Sequence, residues 1–571
     1  MGLTLIGSIL REHPEIALFL ALGLGYALGQ IKFGPIQLGG VCSTLIVSLV
    51  IGQLGVQLDA SVKNVFFMLF IFALGYGGGP QFFANLNAKG LRIGLLCLIE
   101  VLVVLALVLT ATRVMHLDPG TAAGLMAGAA TESAVVGTAT DAISKLALPV
   151  AEIHRLQTNV VTAYSITYIF GLITIVVFTS QVFPLILRVN LREEADRLWK
   201  AMGGRDEDAD ATDAVPQMVG RVYEVGANAE GTVGQLSALL QGGASVQGVR
   251  RGTQMLEVSP QLRLQAGDRV LVVGRRAAVL NMVQATAGLG NESADASAFS
   301  LVMESAEVVL TQPRAAGLTV QALKTSDTPP ALGTSVQVVA IWRGGHMLPL
   351  LPDLALQGGD ILQLFGRQDE IALAARQLGE PVLKSSRSNI SLAAGGIVLG
   401  VWIGLFSVKW GGIPFSLGTG GGVLLSGLVL GWYQARHPAR LSLPQDALNL
   451  LKDIGLATFI ACVGLASGPQ ALTLIKQYGV SLPLMGVAIA VLPAFASLFV
   501  GRYLLKFEVP VLLGAIAGQQ CSTPALSAIQ SAAGNTTPLL GYTITYALSN
   551  VMLPLMGPVV VALAGLVQGA P

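Results

Sequence analysis

Long apolar segments separated by short polar loops occupy both ends of the 571-residue chain, and a polar stretch lies between them. The first end contains such segments at about 15–31, 36–56, 64–84, 93–112, 121–147 and 157–187. The second end contains them at about 389–408, 417–434, 449–470, 480–503, 510–532 and 538–567. Several approach or exceed the roughly 20 residues that a membrane-spanning helix needs. The pattern predicts an α-helical polytopic membrane protein with a soluble insert.

The two apolar ends repeat the same short motifs in the same order. Internal duplication with glycine- or proline-interrupted apolar segments is how many secondary transporters build a site near the bilayer midplane. Their order therefore predicts a transporter made of two duplicated helical bundles. The repeated motifs are Pro-x-x-Leu-Gly (Pro35, Leu38 and Gly39; Pro414, Leu417 and Gly418), Gly-Pro-Gln (Gly79–Gln81; Gly468–Gln470), Gly-x-x-x-Gly (Gly124 and Gly128; Gly514 and Gly518) and Tyr-x-Ile-Thr-Tyr (Tyr164–Tyr168; Tyr542–Tyr546).

The fifth segment of each half is too rich in small and polar residues for a helix that faces lipid. Residues Gly124–Asp141 place Thr, Glu and Ser among glycines and alanines, and Gly518–Pro524 are polar in the middle. Such backbone persists at membrane depth only inside protein or along a cavity. If this segment is a re-entrant or broken hairpin, the halves have inverted topology; if every segment crosses, the repeats run parallel. We favour the inverted arrangement.

The residues between about 189 and 384 have the composition of a soluble α+β region. They contain a second, smaller duplication with a constant offset of 92 residues. Arg251-Gly252 precedes Gly267–Gly274, and Arg343-Gly344 precedes Gly359–Gly366. Gly-Asp is a turn signal, and the alternating apolar run after it is typical of a half-buried strand. We predict an N-terminal transmembrane repeat (1–188), a charged linker (189–215), two tandem subdomains (216–290 and 291–384) and a C-terminal transmembrane repeat (385–571).

Composition and charge limit the classes of molecule that the protein is expected to bind. Hydrophobic residues make up 53% of the chain and charged residues 12%, about half the charged share of an average soluble protein. The net charge of +1 gives no reason to expect nucleic acid. The four cysteines lie in apolar segments at unrelated spacings, which suits neither a disulfide framework nor a metal site. We expect membrane lipid around the chain, no cofactor, and no enzymatic activity, because no catalytic constellation is present.

Basic residues at the ends of the insert indicate its side of the membrane. Arg188 and Arg197 precede the insert and Lys384 follows it. Because cytoplasmic loops carry an excess of Lys and Arg, we expect the insert to be cytoplasmic. Lys452 is assigned to the same side, whereas the first half is ambiguous because basic residues fall in all its loops.

The two Gly-Asp units resemble tandem C-terminal subdomains of potassium-conductance regulators, called RCK-C or TrkA-C. A pair of them between two duplicated membrane halves is similar to the layout of the aspartate:alanine exchanger family of bacterial transporters, and the similarity covers essentially the whole chain. The resemblance implies electrogenic exchange of L-aspartate for L-alanine at the inner membrane; some relatives are thought to export dicarboxylates such as succinate. Thr523-Pro524 has no counterpart, because Ala134 follows Ser133. The resemblance therefore does not carry the substrate identity.

Hydroxyl and amide side chains in the fifth segments are the predicted substrate-binding groups. An anionic substrate must keep its hydrogen bonds when it leaves water, and a half-helix N-terminus with Ser or Thr hydroxyls supplies donors. The alternative is that small polar residues only hold helices together. The candidates are Thr131, Ser133, Thr138, Gln519, Gln520, Ser522, Thr523 and Pro524.

Three acidic residues within or beside apolar segments are further candidates. Glu132 is the strongest functional candidate of the three, because a carboxylate at membrane depth is energetically costly unless it is paired or hydrated. It could bind the substrate ammonium or carry a proton, and the alternative is that it is solvated at an aqueous surface. Asp141 is expected nearer the interface, as a secondary site residue. Glu100 interrupts an apolar segment and is either bonded inside the bundle or a proton site.

Glycines, prolines and tyrosines in the repeated motifs have two interpretations each. Glycine and proline weaken helices and permit hinges, but glycine also permits close helix packing. The predicted hinge or broken-helix residues are Gly79, Pro80, Gly128, Gly468, Pro469 and Gly518. The tyrosine motifs form either a polar stripe along a cavity or an interfacial belt. That stripe comprises Tyr164, Thr167, Tyr542 and Thr545.

The functional prediction is an antiporter, expected to be a homodimer that works by alternating access. A dicarboxylate exporter or proton-coupled carrier on the same scaffold is the first alternative. An ion channel gated by the insert is the second, but no Thr-Val-Gly-Tyr-Gly-like filter segment is present. A receptor that binds without transport is the third. In the insert, Arg251, Arg343 and His346 would bind an anionic small-molecule regulator or be solvated at the surface.

Overall fold

The computed structural model describes residues 2–33, 36–37, 39–84, 88–204, 218–226, 231–239, 244–275, 279, 292–293, 299, 303–325, 332, 336–382, 389–410, 413–436 and 443–567. Pro35 and Leu38 of the first repeated motif lie outside these residues, as do residues 205–215 of the predicted linker. The chain forms two compact units. The membrane unit comprises Met1–Leu198, Lys384–Gln434 and Leu441–Pro571, and the insert unit comprises Trp199–Leu383 and Ala435–Arg440.

Helices form nearly all of the membrane unit. The first half contains α1 (Gly2–Glu12), α2 (Pro14–Gly29), α3 (Gly39–Gly52), α4 (Ala60–Ala84), α5 (Ala88–Met115), α6 (Pro119–Ala129), α7 (Ser133–Ser144) and α8 (Val150–Leu187), followed by α9 (Leu191–Ala201). A short hairpin of β1 (Lys32–Phe33) and β2 (Ile36–Gln37) joins α2 to α3. Each apolar segment of this half contains a helix at the expected place, and the fifth contains the pair α6 and α7.

The second half repeats this order. It contains α13 (Ile390–Leu405), β15 (Ser407–Trp410), β16 (Ile413–Ser416), α14 (Gly418–Arg436), α15 (Gln445–Tyr478), α16 (Ser481–Leu504), α17 (Val509–Gln519), α18 (Thr523–Ala533) and α19 (Leu539–Val567). Within the described residues, α4, α5, α8, α15, α16 and α19 contain stretches long and apolar enough to cross a membrane. The predicted fold class, two membrane halves flanking a soluble insert with strands, is confirmed.

The fifth segment of the first half is a re-entrant hairpin. Gly120, Gly124 and Gly128 of α6 pack in that order against the backbone of Leu156, Val160 and Tyr164 of α8. Because both series ascend together, α6 and α8 run parallel, so α7 between them must run back. The tip of the hairpin therefore lies beside the middle of α8. In the second half, Gly514 and Gly518 of α17 pack in the same way against Pro538 and Tyr542.

The two halves are inverted copies of each other. The helices of the third apolar segment in each half, α4 and α15, pack antiparallel: Phe67 contacts Phe459 with ring centroids 5.0 Å apart, whereas Gly77 lies against Leu448. Equivalent helices that point in opposite directions require opposite membrane topologies. The re-entrant hairpins therefore enter from opposite sides, as the polar composition of the fifth segments predicts.

Glycine contacts interlock the two halves. Gly52 of α3 packs against the carbonyl of Leu465 in α15, and Gly75 of α4 packs against the carbonyl of Leu424 in α14. A Cβ atom at either glycine would collide with that backbone. Backbone atoms cannot move aside as the end of a flexible side chain can. The helix of the second apolar segment in each half thus packs against the helix of the third segment in the other half: α3 against α15, and α14 against α4.

The predicted helix breaks at the Gly-Pro-Gln motifs are wrong. Helix α4 continues through Gly79 and Pro80, and α15 continues through residues 468–469. Gly79 instead lies against the carbonyl of Leu428, and Gly468 against the backbone of Gly52. Close packing is therefore the role of these glycines here. Pro80 lies inside α4 without ending it, and the side chain of Pro469 lies outside the described residues.

The insert unit contains two sheets of the same design. The first has the order β6-β5-β8-β3-β9 and the second the order β12-β11-β13-β10-β14. The strands of the first are β3 (Met218–Glu224), β5 (Ala244–Arg251), β6 (Gln254–Leu256), β8 (Arg269–Arg275) and β9 (Glu292–Ser293), with β4 (Gly231–Thr232), α10 (Val233–Leu239) and β7 (Arg263–Leu264) beside them. Those of the second are β10 (Met303–Leu310), β11 (Gln337–Arg343), β12 (His346–Leu348), β13 (Ile361–Arg367) and β14 (Gly379–Pro381), with α11 (Val320–Thr325) and α12 (Gln368–Leu378).

Each of the repeated arginines forms an ion pair with the aspartate of its Gly-Asp turn. Arg251 donates two hydrogen bonds of 2.8 Å to Asp268, and Arg343 donates bonds of 2.8 and 2.7 Å to Asp360. The Arg343 side chain is only 4% exposed, so both the anion-binding and the solvated interpretation are wrong for it. His346 lies at the start of β12.

Removing Arg343 is expected to cost more stability than removing Arg251. Arg343→Met leaves the buried Asp360 carboxylate unpaired, which costs about 3–5 kcal/mol. Arg251→Met is the matched control and costs less, because that side chain is 37% exposed and water can replace it. Hydrogen exchange of the full-length protein measures both losses, in peptides spanning β11–β13 and β5–β8. Equal losses at the two sites would contradict this difference in burial.

The Arg251–Asp268 ion pair also makes the first sheet acid-sensitive. The hydrogen bonds from Arg251 hold the pKa of Asp268 below its ordinary value. The pair therefore stabilises the folded state fully above the unfolded pKa of about 3.9, and the contribution is lost as the pH falls through the lower folded pKa.

Candidate binding site at the hairpin tips

The tips of the two re-entrant hairpins meet inside the membrane unit. Thr131 at the first tip and Cys521 at the second adopt left-handed backbone conformations, with φ of 52° and 49°. Such angles are uncommon for residues with a side chain and occur where surrounding structure imposes them. The hydroxyl of Thr131 donates a hydrogen bond to the carbonyl of Gln520. The tips are therefore in direct contact, each turning its chain at an equivalent residue.

Two helix N-termini begin at these tips. Glu132 caps α7, where its Oε1 accepts the backbone N–H of Ala134 at 3.0 Å. Ser522 caps α18, where its Oγ accepts the backbone N–H of Ala525 at 3.3 Å. Helix N-termini carry unpaired N–H groups and partial positive charge, which favours anions. The hairpins thus bring two anion-favouring ends together near the middle of the membrane unit.

A tyrosine hydroxyl faces the first residue of each helix. Ser133 Oγ lies 2.6 Å from the hydroxyl of Tyr164, and Thr523 Oγ1 lies 3.1 Å from the hydroxyl of Tyr542. Both tyrosines are fully buried, so the interfacial-belt interpretation is wrong for them.

Two threonines of the tyrosine motifs fasten the hairpins to the long helices. Thr545 donates a 2.8 Å hydrogen bond to the carbonyl of Ala515 in α17 and lies against Gly518. Thr167 lies against Gly128 and bonds the carbonyl of Ala163 within α8 at 2.7 Å. Gly128 and Gly518 therefore serve as packing positions just before the breaks in the chain.

The two hairpins differ in the exposure of their outer helices. On α18, Thr523, Ser527 and Ser531 are exposed one turn apart on a single face. A polar exposed face at membrane depth lines an aqueous path. On α7 the corresponding residues are less exposed: Ser133 and Asp141 are half-buried, and Gly137 is buried against the ring of Phe67. The tips are therefore accessible along α18 and closed along α7.

The open face leads toward α9, the helix that follows the end of α8. Asn535, just beyond α18, donates a 3.4 Å hydrogen bond to Asp196 of α9. Gly534 lies beside Arg192 of the same helix. Since α9 follows the end of α8, the accessible side of the tips is the side on which α8 ends.

Asp141 closes the opposite side. Its carboxylate accepts bonds from the backbone N–H and the hydroxyl of Thr419, at 2.8 and 2.7 Å, at the start of α14. Lys145 lies 3.1 Å from the same carboxylate. Asp141 thus joins the end of the first hairpin to the second half, rather than reaching the tips.

Several predicted site residues are engaged with protein instead of facing the accessible surface. Thr138 bonds the carbonyl of Pro554 at 2.7 Å, Gln519 bonds Ser497 at 3.1 Å, and Gln520 bonds the carbonyl of Ala490 at 2.8 Å. Their contacts match the alternative role of holding helices together. Pro524 lies in the first turn of α18, where a missing N–H costs nothing.

Lys452 is a site residue that sequence reasoning missed. The sequence assigned it to the cytoplasmic side only, but it lies within α15 between Leu448 and Gly455, which pack against Gly77 and Phe70 of α4. These contacts place it opposite the middle of α4. Its ammonium interacts electrostatically with Glu132 and makes no ion pair among the described residues. The sequence signal that could have identified Lys452 as a site residue is its position inside a predicted apolar segment, where a charged side chain is costly.

Comparisons with known proteins agree with this architecture. Residues 17–184 and 392–562 match the family model described as a predicted permease membrane region of the aspartate:alanine exchangers, and residues 232–285 match the TrkA-C domain. An uncharacterized transporter of Zymomonas mobilis is 37% identical over 98% of this chain and 99% of its own. One of Bordetella parapertussis is 37% identical over 99% of each, and one of Francisella tularensis 33% over 97% and 98%.

No solved structure matches the chain. The family model covers the two membrane halves that carry the re-entrant hairpins, and the relatives are transporters aligned over almost their full length. The chain is therefore a membrane transporter of the aspartate:alanine exchanger family.

Proposed function

We propose that this transporter exchanges L-aspartate for L-alanine across the bacterial inner membrane, with the insert in the cytoplasm. The observation that supports the proposal is the meeting of two helix N-termini at Glu132 and Ser522, with Lys452 within electrostatic reach of Glu132. Helix N-termini and a lysine ammonium favour carboxylates, and a buried carboxylate favours an ammonium. Aspartate carries two carboxylates and one ammonium, so its charged groups match this set.

Each charged group of the substrate has its own partner in this proposal. The α-carboxylate binds at the N-terminus of α18 beside the exposed Thr523, and the ammonium binds Glu132. The side-chain carboxylate of aspartate binds Lys452. When alanine is bound instead, the ammonium of Lys452 is hydrated. Because aspartate carries one more negative charge than alanine, one-for-one exchange moves net charge across the membrane.

The unequal hairpins support alternating access. The α18 face is open while the equivalent α7 face is packed against Phe67 and held through Asp141. The halves are inverted copies. If the α7 face became exposed and the α18 face became packed, the tips would therefore open to the opposite side of the membrane. The basic residues that flank the insert assign the open side to the cytoplasm by the positive-inside rule.

Counterflow in liposomes tests the proposal. Purified protein is reconstituted with internal L-aspartate, and the uptake of radiolabelled aspartate is followed with and without external alanine. We expect uptake that requires internal aspartate and is inhibited by alanine. Liposomes without internal substrate and liposomes without protein are the controls. Absence of any aspartate counterflow would overturn the proposed exchange and leave the fold assignment untouched.

A dicarboxylate such as succinate is the second candidate substrate. Two helix N-termini and Lys452 can hold two carboxylates without any ammonium, which favours this alternative. The same liposomes distinguish the two candidates. Uptake inhibited by succinate and unaffected by alanine would assign dicarboxylate exchange to the site.

A further inference from the structure

A second carboxylate is buried at the depth of the hairpin tips. Glu100 lies on the inner face of α5 and is 1% exposed. Neither of its carboxylate oxygens has a hydrogen-bond partner among the described residues. Buried polar groups are nearly always paired, so an unpaired acidic side chain inside a membrane bundle requires an explanation.

The contacts of Cys97 fix the depth of Glu100. Cys97, one turn earlier in α5, donates to the carbonyl of Thr545 at 3.8 Å. Thr545 also bonds Ala515 of α17, just before the second tip. Thr545 also lies against Gly518, three residues before Cys521, and Glu100 follows Cys97 by three residues, so Glu100 lies within about two helical turns, roughly 11 Å, of the level of that tip.

Cys521 connects Glu100 to the binding site. The thiol of Cys521 at the second tip interacts electrostatically with both Glu100 and Glu132. Glu132 also hydrogen-bonds this thiol, so both carboxylates lie within electrostatic reach of the same tip. Movement of the second hairpin would change the surroundings of both.

The other half of the chain shows that packing at this position does not need a carboxylate. Gly486 of α16 packs against Thr167 of α8 as Cys97 packs against Thr545 of α19. Three residues after Gly486 stands Ile489, which is 1% exposed like Glu100. An aliphatic residue therefore fills the equivalent buried place in the second half.

The surroundings of Glu100 hold no compensating charge in the described residues. The titratable groups that face it are the thiols of Cys97 on its own helix and Cys521 at the tip. An isolated ionised carboxylate is too costly in such a site, so the group is neutral and holds a proton in this arrangement.

We propose that Glu100 is the proton-binding site that couples transport to proton movement. The proton binds one carboxylate oxygen to give the neutral acid, and it leaves to water when the hairpins rearrange; no other bond changes. A proton needs one oxygen, whereas the described residues offer no group of three acidic, His or Cys side chains for a metal ion. The proposal rests on transport by this protein but not on the identity of the substrate.

Infrared difference spectroscopy tests the proton site without any substrate. The full-length protein in detergent is titrated, and the carbonyl stretch of a neutral carboxylic acid is monitored. We expect a band at neutral pH that is absent from Glu100→Gln and shifted in Glu100→Asp. A wild-type spectrum identical to that of Glu100→Gln would overturn the proposal.

Proton movement in liposomes tests the coupling. A pH-sensitive dye inside proteoliposomes reports protons while labelled substrate reports transport. We expect Glu100→Gln to retain counterflow and to lose the substrate-dependent pH change and the response of uptake to an imposed pH gradient. Thr112→Val, a buried change farther along the same helix, is the matched control and keeps both.

The outcomes separate this proposal from the proposed exchange. Proton movement that persists in Glu100→Gln, or uptake that follows a sodium gradient instead, would overturn the coupling role. Loss of a folded protein in both Glu100→Gln and Glu100→Ile would assign Glu100 a structural role and overturn it as well. If wild-type protein exchanges no aspartate, the exchange proposal fails while the infrared result still decides the proton site.

Discussion

Replacing Glu132 by glutamine is expected to lower the affinity for aspartate about 10- to 100-fold, since a hydrogen bond to a charged group contributes about 1.5–3 kcal/mol. The change removes the charge that binds the substrate ammonium. Glutamine keeps an oxygen that can accept the N–H of Ala134, so the cap of α7 is preserved and the protein remains folded. The concentration dependence of counterflow in liposomes measures the loss.

The control for Glu132 lies at the other end of the same hairpin. Asp118 caps α6 by accepting the N–H groups of Gly120 and Thr121, and Asp118→Asn should leave the affinity unchanged. Succinate provides a second control, because it lacks the ammonium and should bind Glu132→Gln no more weakly than wild type. Equal aspartate affinity in Glu132→Gln and Asp118→Asn would remove Glu132 from the site.

Replacing Lys452 by methionine is expected to change which substrate is preferred. The ammonium of Lys452 is the proposed partner of the aspartate side-chain carboxylate, so its loss should weaken aspartate about 10- to 100-fold. Alanine has no such carboxylate and should bind as before. Inhibition of labelled alanine counterflow by unlabelled aspartate and by unlabelled alanine measures both affinities in one assay.

Lys476 supplies the matched control on the same helix. It is exposed near the end of α15, and Lys476→Met should leave both affinities unchanged. A uniform loss for aspartate and alanine in Lys452→Met would instead assign Lys452 to the α-carboxylate that both substrates share. Unchanged affinities for both would exclude Lys452 from binding.

Much of the architecture follows from local sequence. The order of apolar segments and their duplicated motifs predict the helices, and the polar, small-residue composition around Thr131 and Cys521 predicts the two hairpins. These features are visible because lipid imposes one rule on every spanning segment: backbone polar groups must be satisfied within the protein. The inverted arrangement follows once the fifth segment is recognised as re-entrant.

The parts that sequence could not predict depend on contacts between distant segments. The electrostatic interaction of Lys452 with Glu132 depends on the antiparallel packing of α4 and α15, and the bond from Thr419 to Asp141 joins residues from opposite halves. The helix breaks predicted at Gly79 and Gly468 were wrong for the same reason. A glycine that allows a hinge and a glycine that allows close approach look alike until the neighbouring helix is known.

The interlocked halves have a consequence for biosynthesis. The glycine faces of α3 and α4 pack against α15 and α14, which are synthesised only after the whole insert. The first half therefore enters the membrane with the glycine faces of α3 and α4 still without their partner helices, and these contacts form only after the second half has been inserted. The insert can fold on the ribosome during this interval, so final assembly of the membrane unit is a late, post-insertion event that a chain truncated before Gly418 cannot reach.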